Sequence, residues 1–478
     1  MRLYKDIFAH HGPLSFMLAH AYAHFYSASD FSDARWSMVV LALFSAFCIL
    51  ASPALKTWSV RCVAAGTYLA LLSSIWAIQG AHMISYYPIG GLFLVVPVAQ
   101  LVFPYFVERA PTRWGLVASG AACVSVCFSA YSFGPSTVLI CLVAAVLGRS
   151  GAKTLHLRQL LPFALGALVA LTLILTWLAA YGDLLGFFVY HFYFNQAVYY
   201  EFVRLTMGNI GHVIFLSLQP LEIMHSLAIA LIPLSLVGLL ATGPRDRVRR
   251  WSMFAAVVML LGALLLANPK STYGFQALPF DLLAIAIFSL SAGVCLQSTQ
   301  LTSRLGARAV TILVLVGTAA TFELASFKAL SSPHGATKTS LRKMKYYPRP
   351  APEFDLIRRL SKEGGDVIAL IIDNDFYIKS GRLPASGNLF YLPWQAAYYK
   401  HPILGYKIDI CKDISEKKPS IIKFRRWVVW GMYDIADYEP CVVDFIKKNY
   451  VPLGPDPTLL IRADHPFLQE SKASAPKP

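Results

Sequence analysis

Side chains able to do chemistry gather in three polar clusters between the long apolar stretches of this 478-residue chain. The first cluster reads Tyr4-Lys5-Asp6-Ile7-Phe8-Ala9-His10-His11-Gly12-Pro13-Leu14. A second, Asn268-Pro269-Lys270-Ser271-Thr272-Tyr273-Gly274-Phe275-Gln276, joins two apolar stretches. The third is a long aromatic segment, 182–223, with Asp183, Tyr190, His191, Tyr193, Asn195, Gln196, Tyr199, Tyr200, Glu201 and Arg204. An ionisable group at or just inside a membrane is costly, so Asp6, Lys270 and Glu201 are functional candidates by default. Two plainer roles stay open: Lys270 can snorkel its ammonium to the headgroups, and Asp6 can cap a loop.

The motifs of soluble enzymes are missing: no Walker loop, GxGxxG, GxSxG or CxxC is present. His20 and His24 stand four apart and could face one metal from one helical side, yet no third ligand neighbours them in sequence. Packing at the interface is the competing account, and no metal site is assigned. A divalent metal requirement is left open. Of eight cysteines, Cys48, Cys62, Cys123, Cys127, Cys141 and Cys295 lie in or beside apolar stretches, where thiols act as small fillers. Cys411 and Cys441 are the pair in the polar C-terminal part; they form a disulfide if that part is extracytoplasmic, or are two separate buried thiols.

Ten stretches position these clusters, near 34–53, 61–80, 88–107, 114–131, 136–149, 160–181, 224–242, 252–268, 276–296 and 309–327. Crossing a hydrocarbon core of roughly 30 Å takes about twenty apolar residues. The stretch 136–149 is short for this. Alternate connections are basic: Lys56, Arg61, Arg109, Arg113, Arg149, Lys153, Arg158, Arg245, Arg247, Arg249, Arg250, Arg304 and Arg308 fall in one set, against Arg204 and Lys270 in the other. Lys and Arg are retained in the cytoplasm, which places the first set there. The polar clusters then lie across the bilayer. The net charge of +16 therefore reads as an affinity for anionic lipid rather than for nucleic acid. The chain is 56% hydrophobic and 14% charged, with mean hydropathy +0.54, which agrees with a polytopic membrane protein.

With ten spans both termini share the outer side. Residues 1–32 lack the apolar core and cleavage site of a signal peptide, so the expectation is that a span precedes this chain. Alternatively residues 13–28 cross; their His20, Tyr22, His24 and Tyr26 suit an amphipathic interfacial helix better. Three parts result: 1–33, an external loop with a juxtamembrane helix; 34–327, the membrane region; and 328–478, a water-soluble part. The aromatics of 182–223 predict one or two helices lying at the interface. In the last part, helix at 353–362, strands at 366–372, 426–430 and 458–461, and helix at 441–449 predict a small α/β domain.

Several of these stretches resemble a known family. Tyr4-Lys5-Asp6-Ile7-Phe8, His11-Gly12-Pro13-Leu14 and Ala34-Arg35 opening a span resemble the first external loop of GT-C-type membrane glycosyltransferases. The bacterial relatives of protein mannosyltransferases and the lipid A aminoarabinose transferase are the most similar. Thr272-Tyr273-Gly274-Phe275-Gln276-Ala277-Leu278-Pro279 is similar to the family's H-Y-x-x-Q-x-x-P, with Thr272 where His is usual. Tyr377-Ile378-Lys379-Ser380-Gly381-Arg382-Leu383-Pro384-Ala385-Ser386 resembles its external Y-x-x-x-G-R-x-P-A-S.

The resemblance implies a fold, an activity and a place. The fold would be an all-α polytopic membrane bundle of the GT-C type with a small extracytoplasmic C-terminal α/β domain. The activity would be transfer of a sugar from a polyprenyl-phosphate donor to a glycan, lipid or protein acceptor, at the outer face of a bacterial inner membrane, in building the cell envelope. Such a donor carries its own leaving group, so a nucleotide loop is unnecessary. Lys270 would meet the phosphate, Asp6 would be the acceptor's general base, His10 and His11 would bind donor phosphate or acceptor, and Tyr273 and Gln276 would line the sugar pocket. Glu201 remains a further substrate-binding candidate. The family's acidic pair follows its first span and would lie upstream of this chain. A lipid-linked saccharide transporter and a non-catalytic envelope scaffold are the competing functions, although transporters commonly show repeated halves and none is visible here.

Overall fold

The computed structural model describes residues 2–25, 35–76, 83–150, 157–203, 278–297, 352–371, 375–426, 428–454 and 456–473. The described residues are mostly helical, with one four-stranded mixed sheet and one two-stranded antiparallel pair. The membrane region begins with α1 (Leu14–Phe25), α2 (Trp36–Leu50), α3 (Trp58–Trp76) and α4 (Tyr86–Phe106). Pro97 stands inside α4, where it has no N–H to donate and its ring crowds the preceding turn. The helix loosens there into a π segment at Val98–Val102. Next come α5 (Arg113–Ser129), whose first turn is capped by the Thr112 hydroxyl accepting the Gly115 N–H at 2.9 Å, α6 (Gly134–Ser150) and α7 (Leu157–Tyr181). Beyond α7, α8 covers residues 184–203 as Leu184–Phe187, π-helical Phe188–Tyr199 and Tyr200–Val203. Among the described residues of this region, the last helix is α9 (Leu278–Leu296).

Among the described residues, four helical segments are long and apolar enough to cross a membrane: Tyr86–Phe106, Tyr131–Gly148, Leu160–Tyr181 and Leu278–Leu296. Shorter apolar helices are Trp36–Leu50 and Arg113–Ser129. The stretch at 136–149, short in sequence, is extended to 18 residues by the turn at Tyr131–Phe133. Seven of the ten apolar stretches coincide with helices. Those at 224–242, 252–268 and 309–327 lie outside the described residues, as does the linker following residue 330.

Burial separates the helices into inner and outer. Nearly all of α9 is buried, so it is the centre of the bundle. By contrast α6 exposes Val138, Leu142 and Val146 in one stripe, and α7 exposes Leu161, Leu165, Leu168 and Leu173. A contiguous apolar surface of this kind needs an apolar medium. The chain is a multi-pass membrane protein. Helices α5 and α7 touch backbone to backbone: a Cβ on Gly166 would come within 1.9 Å of the Val117 carbonyl oxygen. Small residues at such crossings let helices approach where lipid offers no hydrophobic drive.

The loops sort onto two faces. On one, the Gln297 side-chain amide donates to the Ala54 carbonyl at 2.7 Å and accepts from the Lys56 N–H at 2.6 Å. Arg109 there donates to the Pro53 carbonyl at 2.8 Å. The opposite face holds the N-terminal loop, the start of α4 and the ends of α5 and α7. Leu3 N–H donates to Tyr181 at 3.1 Å and Gly12 N–H to Ser129 at 3.1 Å.

On that second face sits the C-terminal part. Its elements are α10 (Pro352–Leu360), β1 (Val367–Ala369), α11 (Asp375–Ser380), α12 (Pro393–Lys400), α13 (Ile410–Lys417), β2 (Ile421–Lys423), β3 (Val428–Val429), β4 (Tyr433–Asp434), α14 (Ile435–Tyr438), α15 (Pro440–Asn449), β5 (Tyr450–Pro452), β6 (Leu459–Arg462) and α16 (Pro466–Ala473). The sheet order is β1-β2-β6-β5, with β1 and β2 parallel and the other pairs antiparallel. Alternation along β1 sends Val367 and Ala369 to a core with Ile357 of α10, and Ile368 and Leu370 to the core shared with the membrane region. Two of the expected strands, at 366–372 and 426–430, are shorter than read from sequence, and the third, 458–461, is displaced by one residue. Strand β2, central in the sheet, went unanticipated because Ile421-Ile422 is too brief an apolar run to announce itself.

Candidate functional site

The segment Tyr377 to Ser386 holds its own domain together. The Tyr377 hydroxyl accepts the Ala369 N–H at 2.7 Å. Gly381, at φ +63°, ends α11 in a conformation that favours glycine. Arg382 donates to the carbonyls of Arg358 at 2.6 Å and Ser361 at 3.1 Å, tying down the end of α10. Ser386 donates to Asp413 at 2.7 Å. None of these contacts leaves a group aimed at a ligand; the stretch builds the domain.

The first polar cluster forms a loop wedged between the membrane region and this domain. The Asp6 carboxylate accepts the Arg2 N–H at 2.6 Å, closing the loop on itself, and the side chain is exposed. Phe8 N–H donates to the Gly387 carbonyl at 3.0 Å. A Cβ on Gly387 would lie 1.9 Å from the Asp6 carbonyl oxygen, so only glycine lets the loop reach the domain. The Asp6 carboxylate thus closes its own loop in this structure.

His10 and His11 turn inward from the same loop. Their ring centroids are 3.9 Å apart, and His11 stacks on Tyr86 at 4.2 Å. His191 of α8 joins them: its Nδ1 lies 3.4 Å from the His10 carbonyl oxygen, which also accepts from Asn195 at 2.7 Å. The π-helical course of α8 presents His191 and Asn195 to the same carbonyl. Burial first, and then the neighbouring His11 and His191, hold His10 well below the usual histidine range. Burial followed by His191 brings His11 down to about 3, and burial brings His191 to about 4 against carbonyl contacts that oppose it. Near neutral pH these rings are uncharged. They can donate and accept hydrogen bonds but offer no cation to a phosphate.

Phenols surround the trio. Tyr86 heads α4 beside Tyr87, Tyr131 and Tyr199, and the Tyr4 hydroxyl donates to the His11 carbonyl at 2.6 Å. Pro279, near the head of α9, packs against the backbone of Gly91 in the first turns of α4. Parts of the segments that resemble family motifs thus lie on one face: the N-terminal loop, Leu278 and Pro279 at the start of α9, and Gly387 just past the C-terminal stretch. Glu201 lies exposed at the far end of α8, and no contact joins it to the histidines. Lys270, Tyr273 and Gln276 lie outside the described residues.

His20 accepts from the Trp177 indole at 3.1 Å and packs on Tyr181 at 4.3 Å, the interfacial role rather than a metal ligand's. Cys411 and Cys441 are joined in a disulfide, with Cα atoms 6.1 Å apart. Among the described residues, the one group of three metal-capable side chains with ligand atoms mutually within 4.8 Å is Cys411, Glu439 and Cys441, and its sulfurs are the bridged ones. Two residues of interest have no role in the sequence reading. His191 is named within the aromatic segment but assigned no function. Asp281, 1% exposed one turn into α9, carried the signal of an acid inside a span.

No protein-family profile and no curated protein sequence matches the chain. Among solved structures it is similar to the Archaeoglobus fulgidus oligosaccharyltransferase tethered to an acceptor peptide containing the NVT sequon. Identity there is 11% and the TM-score 0.38, over 96% of this chain and 66% of that one. It is also similar to the archaeal oligosaccharyltransferase AglB from the same organism, in complex with an inhibitory peptide and a dolichol-phosphate. That comparison gives 10% identity and a TM-score of 0.40, over 97% of this chain and 67% of that one. The chain thus spans about two thirds of their length, and at these values neither likeness defines a shared fold or site.

Proposed function

We propose that the protein is a membrane glycosyltransferase that moves a sugar from a polyprenyl-phosphate donor to a glycan, lipid or protein acceptor. The donor would be of the same chemical class as the dolichol-phosphate seen with one structural neighbour. One observation carries the reading: the N-terminal loop bonds to Gly387, just past the C-terminal stretch, and Pro279, which ends the 272–279 stretch, packs on Gly91 near the head of α4 on the same face. The face opposite the basic loops would be the outer side of a bacterial inner membrane, with the C-terminal α/β domain extracytoplasmic.

In this reading Lys270 meets the donor phosphate, because the buried histidines are neutral. His10 and His11 bind through hydrogen bonds to hydroxyl-rich parts of donor or acceptor, with Tyr273 and Gln276 at the sugar and Glu201 at the edge. A carboxylate must accept the acceptor's proton; Asp6 holds its loop in this structure, so Asp281 stands beside it as a candidate. The test is transfer from radiolabelled polyprenyl-phosphate sugar to membrane acceptors by purified protein in proteoliposomes. Absence of transfer overturns the activity. Undiminished transfer by Lys270→Ala combined with Asp6→Ala overturns the site.

A further inference from the structure

Two tight turns of the C-terminal domain break a strong local preference in the same way. In the turn closed by the Tyr406 N–H donating to the Ile403 carbonyl at 3.0 Å, the central residues are Leu404 at φ +52° and Gly405 at φ +74°. In the turn closed by Met432 N–H donating to Val429 at 3.0 Å, they are Trp430 at φ +53° and Gly431 at φ +71°. Positive φ at both central positions defines a type I′ turn, whose first central position favours Asn, Asp or Gly. A branched or bulky side chain there is strained. Residues kept in such a conformation at an exposed site point to a function that the fold alone does not require.

Both tips are apolar and turned outward. Leu404 is 67% exposed; on the second turn Met432 is 60%, Val428 46% and Trp430 37% exposed. Each tip is flanked by exposed basic residues, Lys400 and Lys407 for the first and Arg425 and Arg426 for the second. Each is also tied to an end of α8. Beside the first tip, the Tyr406 hydroxyl donates to Asp183, two residues beyond the span Leu160–Tyr181. Near the second, Tyr433 meets Phe202 at 5.5 Å, and Trp430 meets Trp394 at 4.9 Å, itself 5.1 Å from Tyr199. Tyr199 in turn lies near Tyr86 at the head of α4. Between the two ties α8 exposes Leu184, Leu185, Phe188 and Phe192, continuing the apolar surface of α7 past the end of the span.

We infer that the C-terminal domain rests on the bilayer through these two turns, with Leu404 on one and Val428, Trp430 and Met432 on the other entering the headgroup layer at the two ends of α8. Continuity with the lipid-exposed face of α7 and α8 favours lipid over a protein partner. Of the flanking cations, Lys407 is paired with Asp409 at 3.0 Å and Arg426 with Asp434 at 2.7 Å, so Lys400 and Arg425 are the ones that suit anionic headgroups. The domain's height above the membrane is thereby fixed at two points, whatever reaction the protein performs.

The test places the photoreactive residue p-benzoylphenylalanine at Leu404, Met432 or Glu363 in the full chain, reconstituted into vesicles of phosphatidylethanolamine and phosphatidylglycerol with a tagged phospholipid. Glu363 is an exposed control beside α10, on the sheet face turned away from the membrane region. Irradiation is expected to give lipid adducts at Leu404 and at Met432 several-fold above those at Glu363. Yields at either tip equal to the control, or adducts to protein in place of lipid, overturn the inference. Retention of the Cys411–Cys441 bridge on non-reducing gels verifies that each variant is folded, so a low yield counts against the contact itself.

Discussion

Tyr406, on the C-terminal domain, donates its hydroxyl hydrogen to Asp183, the residue that caps the first turn of α8. The same carboxylate oxygen accepts the Gly186 N–H at 2.6 Å. Burial raises the Asp183 carboxyl, but these two bonds, with Lys5 and Arg2 nearby, hold it below the usual carboxylate range. A group with a depressed folded pKa stabilises above its unfolded pKa, and that contribution is lost as pH falls through the folded value. Tyr406→Phe removes a hydrogen bond to a charged group, at a cost of about 1.5–3 kcal/mol. Thermal unfolding in detergent should show a lower Tm for Tyr406→Phe at pH 7, with the difference narrowing below about pH 4. An unchanged Tm would show that the contact does not secure the domain.

The histidine trio gives a second, higher acid window. His11 at about 3 and His191 at about 4 sit below the ordinary value of 6.5, so the unfolded chain binds more protons between these limits. Stability therefore rises with pH across that interval and levels off above about 6.5. The protein should lose Tm steadily from pH 6.5 toward pH 4. In His11→Asn or His191→Asn the slope should flatten, one ring having been removed. A slope in both variants unchanged from that of the parent protein would place the protonation elsewhere.

The Cys411–Cys441 bridge closes a loop with a sequence separation of 30. Restricting the unfolded state over such a loop is worth about 3–4 kcal/mol on the chain-entropy account. Reduction should lower the domain's unfolding temperature, and Cys411→Ser with Cys441→Ser should reproduce the loss. Thiol titration of unfolded protein should give two more reactive groups after reduction than before; equal counts would rule out the bridge.

Legibility in the sequence followed the strength of each physical signal. Hydrophobic length and the alternation of basic loops located seven helices and separated their ends onto two faces, because a bilayer imposes both patterns. Arg382 and Ser386 were noticed through resemblance, yet their role is to cap α10 and to bind Asp413. Short strands escaped: β2 is three residues, and its partners come from 54 residues before and nearly 40 after. His191 was hidden for a different reason. Its approach to His10 depends on the π-helical winding of α8 and on a contact across 181 residues, which no local pattern encodes. Asp281 could have been found by asking which spans contain an acid.

Gly166 and Gly66 make a matched comparison within the membrane region. A side chain on Gly166 meets the backbone of Val117 on α5, which cannot move aside without separating the helices, whereas one on Gly66 of α3 meets nothing within 4 Å. Gly166→Ala should destabilise the bundle by about 1–3 kcal/mol, as overpacking does. Gly66→Ala should be neutral or gain about 0.5–1 kcal/mol from helix propensity. Unfolding in detergent followed by circular dichroism would order the two variants; the reverse order would refute the α5–α7 contact.

Leu404→Asn separates the strain of the first turn from its use. Leu404 is mostly exposed, so little burial is lost on replacement. Asn tolerates positive φ through local hydrogen bonding, and relief of the left-handed leucine should stabilise the turn by about 1 kcal/mol. In detergent the variant should therefore have a higher Tm than the parent protein. In vesicles that gain should shrink or reverse, because an amide replaces an apolar contact with lipid. A variant less stable than the parent in both media would mean that leucine supports the fold at this position, and the strain argument for a membrane contact would fail there.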